Sequence, residues 1–325
     1  ELASQSNNVN RVLEDAGTYL RLFYETGGDA KAPQGLGLTF YPIDTDRFRL
    51  GYLYDVTWGG TNGRVNQSIF PRLQGSAPGA KVQYDGAGWY LFGGFKTASI
   101  IEVQQRIAEG GSGEGSTTDT VRVAETNYGF LGGLGADLAD FVHVDAGGGY
   151  FQQGRFEDPD VLGKRVFTFG FSGRAVLHDG MPVPKSADFQ LYRNDPNAPL
   201  EQFKQENYEP GKLAWAFSGE VTQLHQNLKD FDVPGKTDIQ LARAAAVQAN
   251  IKFGYLRASV AAIYRDLPFV LRNQPSFIPF QTLPNAAKTE NETFFAASLD
   301  YFIESLRLTP GFGAGLQNPA TFRSE

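Results

Sequence analysis

From Lys164 to Leu177 the chain reads K-R-V-F-T-F-G-F-S-G-R-A-V-L, with Phe167, Phe169, Phe171, Ala175 and Leu177 on one parity and Thr168, Gly170, Ser172 and Arg174 on the other. Side chains alternate across a strand, so this segment has one apolar face and one wet face. The pattern returns along the chain. Phe48, Leu50, Tyr52, Tyr54, Val56 and Trp58 share a parity, and Leu213, Trp215, Phe217 and Val221 oppose Ser218, Glu220 and Thr222. Read in this way, the chain predicts strands at 18–24, 36–41, 48–58, 82–95, 99–107, 121–136, 141–153, 166–177, 213–223, 239–253, 256–265, 293–302 and 306–316.

The expected connections sort by length. Residues 44–46, 137–140, 254–255 and 303–305 are short, whereas 59–81, 108–120, 226–238 and 266–292 are long and rich in Gly, Pro, Asn and Asp. Short turns on one side and long loops on the other belong to a transmembrane β-barrel, whose outward face is apolar and whose lumen is polar. The expected fold is therefore all-β: an antiparallel transmembrane barrel of about 14 strands, with short periplasmic turns and long extracellular loops. Residues 1–17 are expected as a periplasmic segment and 18–325 as one barrel domain. At 178–212 either two further strands cross, or an insert sits at the periplasmic mouth or inside the lumen. Thirteen strands without that insert make an odd number, so a closing strand is expected beyond this stretch of sequence.

Composition changes the picture in three respects. There are 26 Phe, 14 Tyr and 38 Gly, yet the mean hydropathy is only -0.31. Strands that cross a bilayer need only every second residue apolar, so a modest mean is no objection to a membrane. A helical span needs about 20 apolar residues, and the most apolar stretch, 242–264, is broken by Arg243, Gln248, Asn250, Lys252 and Arg257. A net charge of -7 without a basic stripe argues against nucleic acid as partner. Cysteine is absent, which excludes disulfides, thiolate nucleophiles and Cys-based metal sites. The opening E-L-A-S-Q-S-N-N has no basic region and apolar core, so any signal peptide is expected to have been removed.

The hairpins G-W-Y-L-F-G-G-F, N-Y-G-F-L-G-G-L-G-A-D-L-A-D-F-V-H-V-D-A-G-G-G-Y-F and R-L-T-P-G-F-G-A-G-L resemble those of bacterial outer-membrane β-barrel proteins of the porin-like kind. The resemblance implies a Gram-negative outer-membrane location and contact with lipid and lipopolysaccharide. It implies small solutes as the transported partners, without a cofactor or a bound metal. Other envelope proteins or a second copy of the chain are the remaining expected partners.

On parity, the lipid-facing residues are expected to be Tyr52, Tyr54, Phe167, Phe169, Phe171, Trp215, Phe217, Leu308 and Phe312. The lumen is expected to be lined by Arg49, Asp55, His143, Asp145, Arg174, Glu220, Arg257, Arg265, Asp300 and Arg307. The arginines either form a charge ladder that selects ions or pair with carboxylates to fill the interior. His143 beside Asp145 could serve a hydrolase, but no G-x-S-x-G elbow supplies a nucleophile. The chain is not expected to be an enzyme. E-D-P-D and K-D-F-D-V-P-G-K-T-D hold carboxylates without EF-hand spacing, and G-G-S-G-E-G-S-T-T-D-T reads as a flexible loop rather than a phosphate cradle. The expected function is a passive channel for small solutes. The alternative is a structural or anchoring barrel that binds other envelope proteins.

Overall fold

Alternation carried over long segments gives long strands, and tight links between them give a meander. The computed structural model describes residues 19–29, 32–42, 47–51, 56–58, 78–107, 118–181, 183, 187–190, 212–271, 280–285 and 287–320. In chain order the strands are β1 (Leu20–Asp29), β2 (Ala32–Tyr41), β3 (Arg47–Leu50), β4 (Val56–Trp58), β5 (Gly79–Gly86), β6 (Trp89–Ile107), β7 (Thr118–Ala139) and β8 (Val142–Arg155). They continue as β9 (Arg165–Asp179), β10 (Ala187–Gln190), β11 (Leu213–Lys229), β12 (Thr237–Phe253), β13 (Leu256–Asp266), β14 (Asn291–Tyr301) and β15 (Gly311–Asn318). One antiparallel sheet takes twelve of them in the order β1-β2-β5-β6-β7-β8-β9-β11-β12-β13-β14-β15. The other three form a small sheet, β10-β3-β4.

Among the described residues the large sheet holds twelve strands, against a barrel of about fourteen expected from the sequence, and β1 and β15 each pair on one side only. The segment expected as a single strand at 82–95 is a hairpin, because D-G-A-G turns the chain at Ala87-Gly88 and Gly88 takes φ 71°. The described residues of the strand expected over 48–58 lie outside the large sheet. Its described parts are β3 and β4, and Phe48, Leu50 and Val56 are buried at 1%, 0% and 2% exposure.

Connections sort by end. Residues 30–31, 87–88, 140–141 and 254–255 are two-residue links at one end, together with 302–310. The opposite end carries 42–78, 108–117, 156–164, 230–236 and 267–290. The last of these contains α1 (Leu267–Leu271) and a short 3₁₀ turn, Ala287–Thr289. The exception is 180–212, which leaves from the short-link end and contains β10.

On β9 and β11 the polar parity is buried and the apolar parity exposed. On β9, Val166, Thr168, Gly170, Ser172, Arg174 and Val176 are buried, while Phe169 and Phe171 are 40% and 50% exposed. On β11, Ser218, Glu220, Thr222 and Gln226 are buried and Phe217 and Val221 are exposed. The polar parity thus faces the concave side of the sheet. Among the described residues no helix is long and apolar enough to cross a membrane, which says nothing about strands.

The small sheet lies against that concave side. Phe48, Leu50, Val56 and Ala187 share a buried cluster with Phe92, Leu131, Phe151, Leu224, Ala244 and Phe269. Its floor is made of glycines. A Cβ at Gly147 would meet the Ala187 Cβ at 2.4 Å, and Cβ atoms at Gly133 and Gly135 would strike the Phe92 and Tyr90 rings at 2.5 Å. Phe92↔Gly133 and Tyr90↔Gly135 are direct cross-strand pairs, so each ring lies flat over the bare backbone opposite it. The G-G-L-G and G-G-G runs are where inserted chain and aromatic rings come closest to the wall. β3 and β4 enter from the long-loop end, β10 enters from the short-link end, and they meet through Leu50↔Ala187, Arg49↔Asp188, Phe48↔Phe189 and Arg47↔Gln190.

Candidate functional site: the concave polar face

One row of pairs crosses the wall at the level of the small sheet: Gly135↔Asp145, Asp145↔Arg174, Arg174↔Glu220 and Glu220↔Ala246. Adjacent strands place opposite charges side by side on the buried face. The Arg174 Nη2 donates to Asp145 Oδ2 at 2.6 Å and its Nε to the same oxygen at 3.1 Å. Their side chains are 2% and 0% exposed. Ser172 donates to Glu220 Oε1 at 3.2 Å, and Thr222 donates to Ser172 Oγ at 2.8 Å. Gly51 of the small sheet, at φ 87°, sits over this group; a Cβ there would lie 2.9 Å from Glu220 Oε1. Arg49 lies beside it and donates from Nε to Gly51 O at 3.1 Å.

His143 and Asp145 are both buried on this face, and the structure brings Asp137 to them. The imidazole Nδ1 is 2.6 Å from Asp137 Oδ1, and Nε2 lies 3.4 Å from Asp145 Oδ2 without completing a hydrogen bond. The ring thus bridges an exposed carboxylate at the short-link end to a buried one. Sequence reading missed Asp137 because it stands at the turn, where β7 carries a register shift between Asp137 and Ala139. Nothing in this cluster provides an activated nucleophile.

Arg257 and Arg265 are also paired with carboxylates. Arg257 Nε donates to Asp300 Oδ1 at 2.6 Å. Arg265 pairs with Glu292, whose other oxygen accepts from Gln317 Nε2 at 2.7 Å. Of the two readings of the arginines, mutual pairing describes Arg174, Arg257 and Arg265. Glu292 and Gln317 were not expected as site residues, although Glu292 continues the alternation of T-F-F-A-A-S one step beyond the expected strand start. Two expected lumen residues lie elsewhere: Arg49 belongs to the small sheet, and Arg307 stands in the 302–310 turn at φ 49°. Asp55 lies outside the described residues.

Of the expected outward residues, Phe169, Phe171, Phe217 and Phe312 are exposed, Phe312 at 74%, and Phe167 and Trp215 are half-exposed on the same face. Leu308 is exposed but belongs to the turn, bridged to Ile303. Tyr52 and Tyr54 lie outside the described residues.

The long-loop end is laced across its connections. Lys229 Nζ contacts Asp158 Oδ2 at 2.7 Å and Asp160 Oδ2 at 3.1 Å, and Lys164 Nζ donates to Gly235 O at 2.9 Å. Thr282 accepts from Phe231 N, and Gln240 Oε1 accepts from Leu283 N. The Lys229 ammonium, with help from the Asp160 N–H, holds the Asp158 carboxyl below the ordinary aspartate range. The E-D-P-D carboxylates considered for calcium are thus turned to Lys229, and Asp230 caps the N–H groups of Asp232 and Val233. Among the described residues no three His, Asp or Glu side chains gather as metal ligands. At the other end Tyr255 donates to Glu304 at 2.7 Å, which pushes the phenol pKa up.

No protein-family model matches the chain, and no curated protein matches it significantly.

Proposed function

We propose that the chain is a bacterial outer-membrane β-barrel that provides a passive route for small solutes, narrowed by a sheet held inside its lumen. The observation that carries the reading is the contrast across β9: the sealed Arg174–Asp145 pair on one face and exposed Phe169 and Phe171 on the other. In water such a strand would turn the other way, because exposed rings and buried ions both cost free energy. In a bilayer both faces are satisfied. The outward run from Phe167 to Leu177 covers roughly 33 Å at about 3.3 Å per residue. At a tilt near 40° that is about 25 Å of apolar band, the usual height.

An even strand count supports closure. β1 runs toward the short-link end and β15 away from it, so their free edges can join antiparallel. The reading places the short-link end in the periplasm and the laced loops outside. The solute partners, the lipid and lipopolysaccharide contacts and the outer-membrane location belong to this proposal.

A second reading, an anchoring barrel with a closed lumen, is favoured by the small sheet and by the ties among the long loops. Conductance of purified protein in a planar bilayer separates the two. Stepwise openings support the route, and silence at every voltage supports the anchor.

A further inference from the structure

The small sheet and α1 do not cover the whole concave face. The buried cluster ends at Ala242, Ala244 and Ala246 of β12, with Ile263 of β13 and Phe280 packed against it. Beyond Ile263 the inner positions of β13, β14 and β15 are small and open. A cavity of about 360 Å³ lies there, lined by Ser259, Ala261, Phe294, Ala296, Ser298 and Gly313. Its two ends are marked by ion pairs on the same face, Arg257–Asp300 toward the short-link end and Arg265–Glu292 toward the long-loop end.

We infer that this lane is the permeation path and that it takes small uncharged polar solutes. The inference rests on the channel reading above and names its route and solute class. Size argues first, since among the described residues this strip of wall presents methyls, hydroxyls and bare glycine backbone, with Phe294 the single ring in its lining, whereas the cluster of the small sheet covers the wall from β6 to Ala246 of β12. Charge argues second. Each bounding arginine is held by its own carboxylate, and among the described residues Lys252 adds a further charged side chain to the row Lys252↔Arg257↔Asp300. A lane lined by Ser259 and Ser298 between two internally neutral pairs gives an ion little to exchange for its water, whereas a neutral solute keeps its hydrogen bonds with those hydroxyls.

The absence of native cysteine makes the test direct. Ser298→Cys and Ala296→Cys place one thiol in the lane, and Ala246→Cys places one beneath the small sheet. Each variant is reconstituted, with heat-modifiable gel mobility as the check on folding, and treated with a bulky water-soluble methanethiosulfonate. Glycerol-driven liposome swelling and potassium chloride conductance are then read. The expected result is rapid modification at 296 and 298 with at least a threefold fall in swelling rate, and no reaction at 246. Conductance and swelling that persist unchanged after full modification at 296 and 298 overturn the lane and leave the channel reading standing. Failure of the unmodified protein to pass glycerol or ions overturns both. Glycerol passage blocked by the reagent, with ion conductance larger than swelling predicts, overturns the neutral-solute class alone.

Discussion

Arg174 on β9 and Asp145 on β8 face each other at 2.6 Å with both side chains almost wholly sealed from solvent, and both stand on the face opposite the rings of Phe169 and Phe171. A buried pair of this kind is a poor source of net stability but a heavy liability when halved. Arg174→Met should therefore destabilise the fold by about 3–5 kcal/mol, because Asp145 keeps its burial and loses the guanidinium. The double change Arg174→Met with Asp145→Leu should recover most of that loss. Urea unfolding in lipid vesicles measures both, and equal damage from single and double variants would refute a simple pair.

Phe217 tests what the outer face touches. Phe217→Arg should cost about 2–4 kcal/mol in a bilayer if the site lies near midplane, while Ser298→Arg, on the open inner lane, should leave stability nearly unchanged. If water covers the outer face, the order reverses. Thr168 and Ser218 do not serve as inner controls, since both are buried and Thr168 donates to Gln153.

Gly147 holds the small sheet at contact distance. A Val there drives its side chain into Ala187, so Gly147→Val should expel β10 and raise conductance severalfold without loss of the large sheet. Protease accessibility near 187–190 from the short-link side should rise in parallel. A variant that unfolds outright, or that leaves both readings untouched, contradicts the role given to this contact.

The tie between Asp158 and Lys229 has a pH sign. A carboxyl whose folded pKa is depressed contributes stability above its unfolded pKa, and that contribution is lost as pH falls through the folded value. Hydrogen exchange in 156–164 should thus be slow at neutral pH and accelerate on acidification into the range below ordinary aspartate titration. Asp158→Asn should show the fast exchange at every pH.

The large sheet was legible because each of its strands records two environments at once. Thr168, Ser172 and Arg174 against Phe167, Phe169 and Phe171 name both faces, and the same holds for Ser218 and Glu220 against Trp215 and Phe217. The segment at 48–58 shows the limit. Alternation says that one face is apolar, not what lies against it, and Phe48 and Leu50 are buried in one cluster with Phe151 and Leu224 of the large sheet. The hairpin at Ala87-Gly88 was hidden because apolar residues on both of its arms merge into one run. Pairings such as Arg265 with Glu292 depend on which strands are neighbours. His143 with Asp137 depends on a turn that the alternation does not describe.

In the proposed barrel β3 and β10 arrive from opposite mouths, and this has a kinetic side. Their ladder joins parts of the chain separated in sequence by β5 through β9, so it closes a large loop. Contacts of that kind are slow to form. The wall must take shape around an interior that is still empty, and the last event inside it is a meeting of two threads. Once they have paired, neither can be drawn out by its own mouth without breaking the ladder held by the other, so the finished interior acts as a clasp.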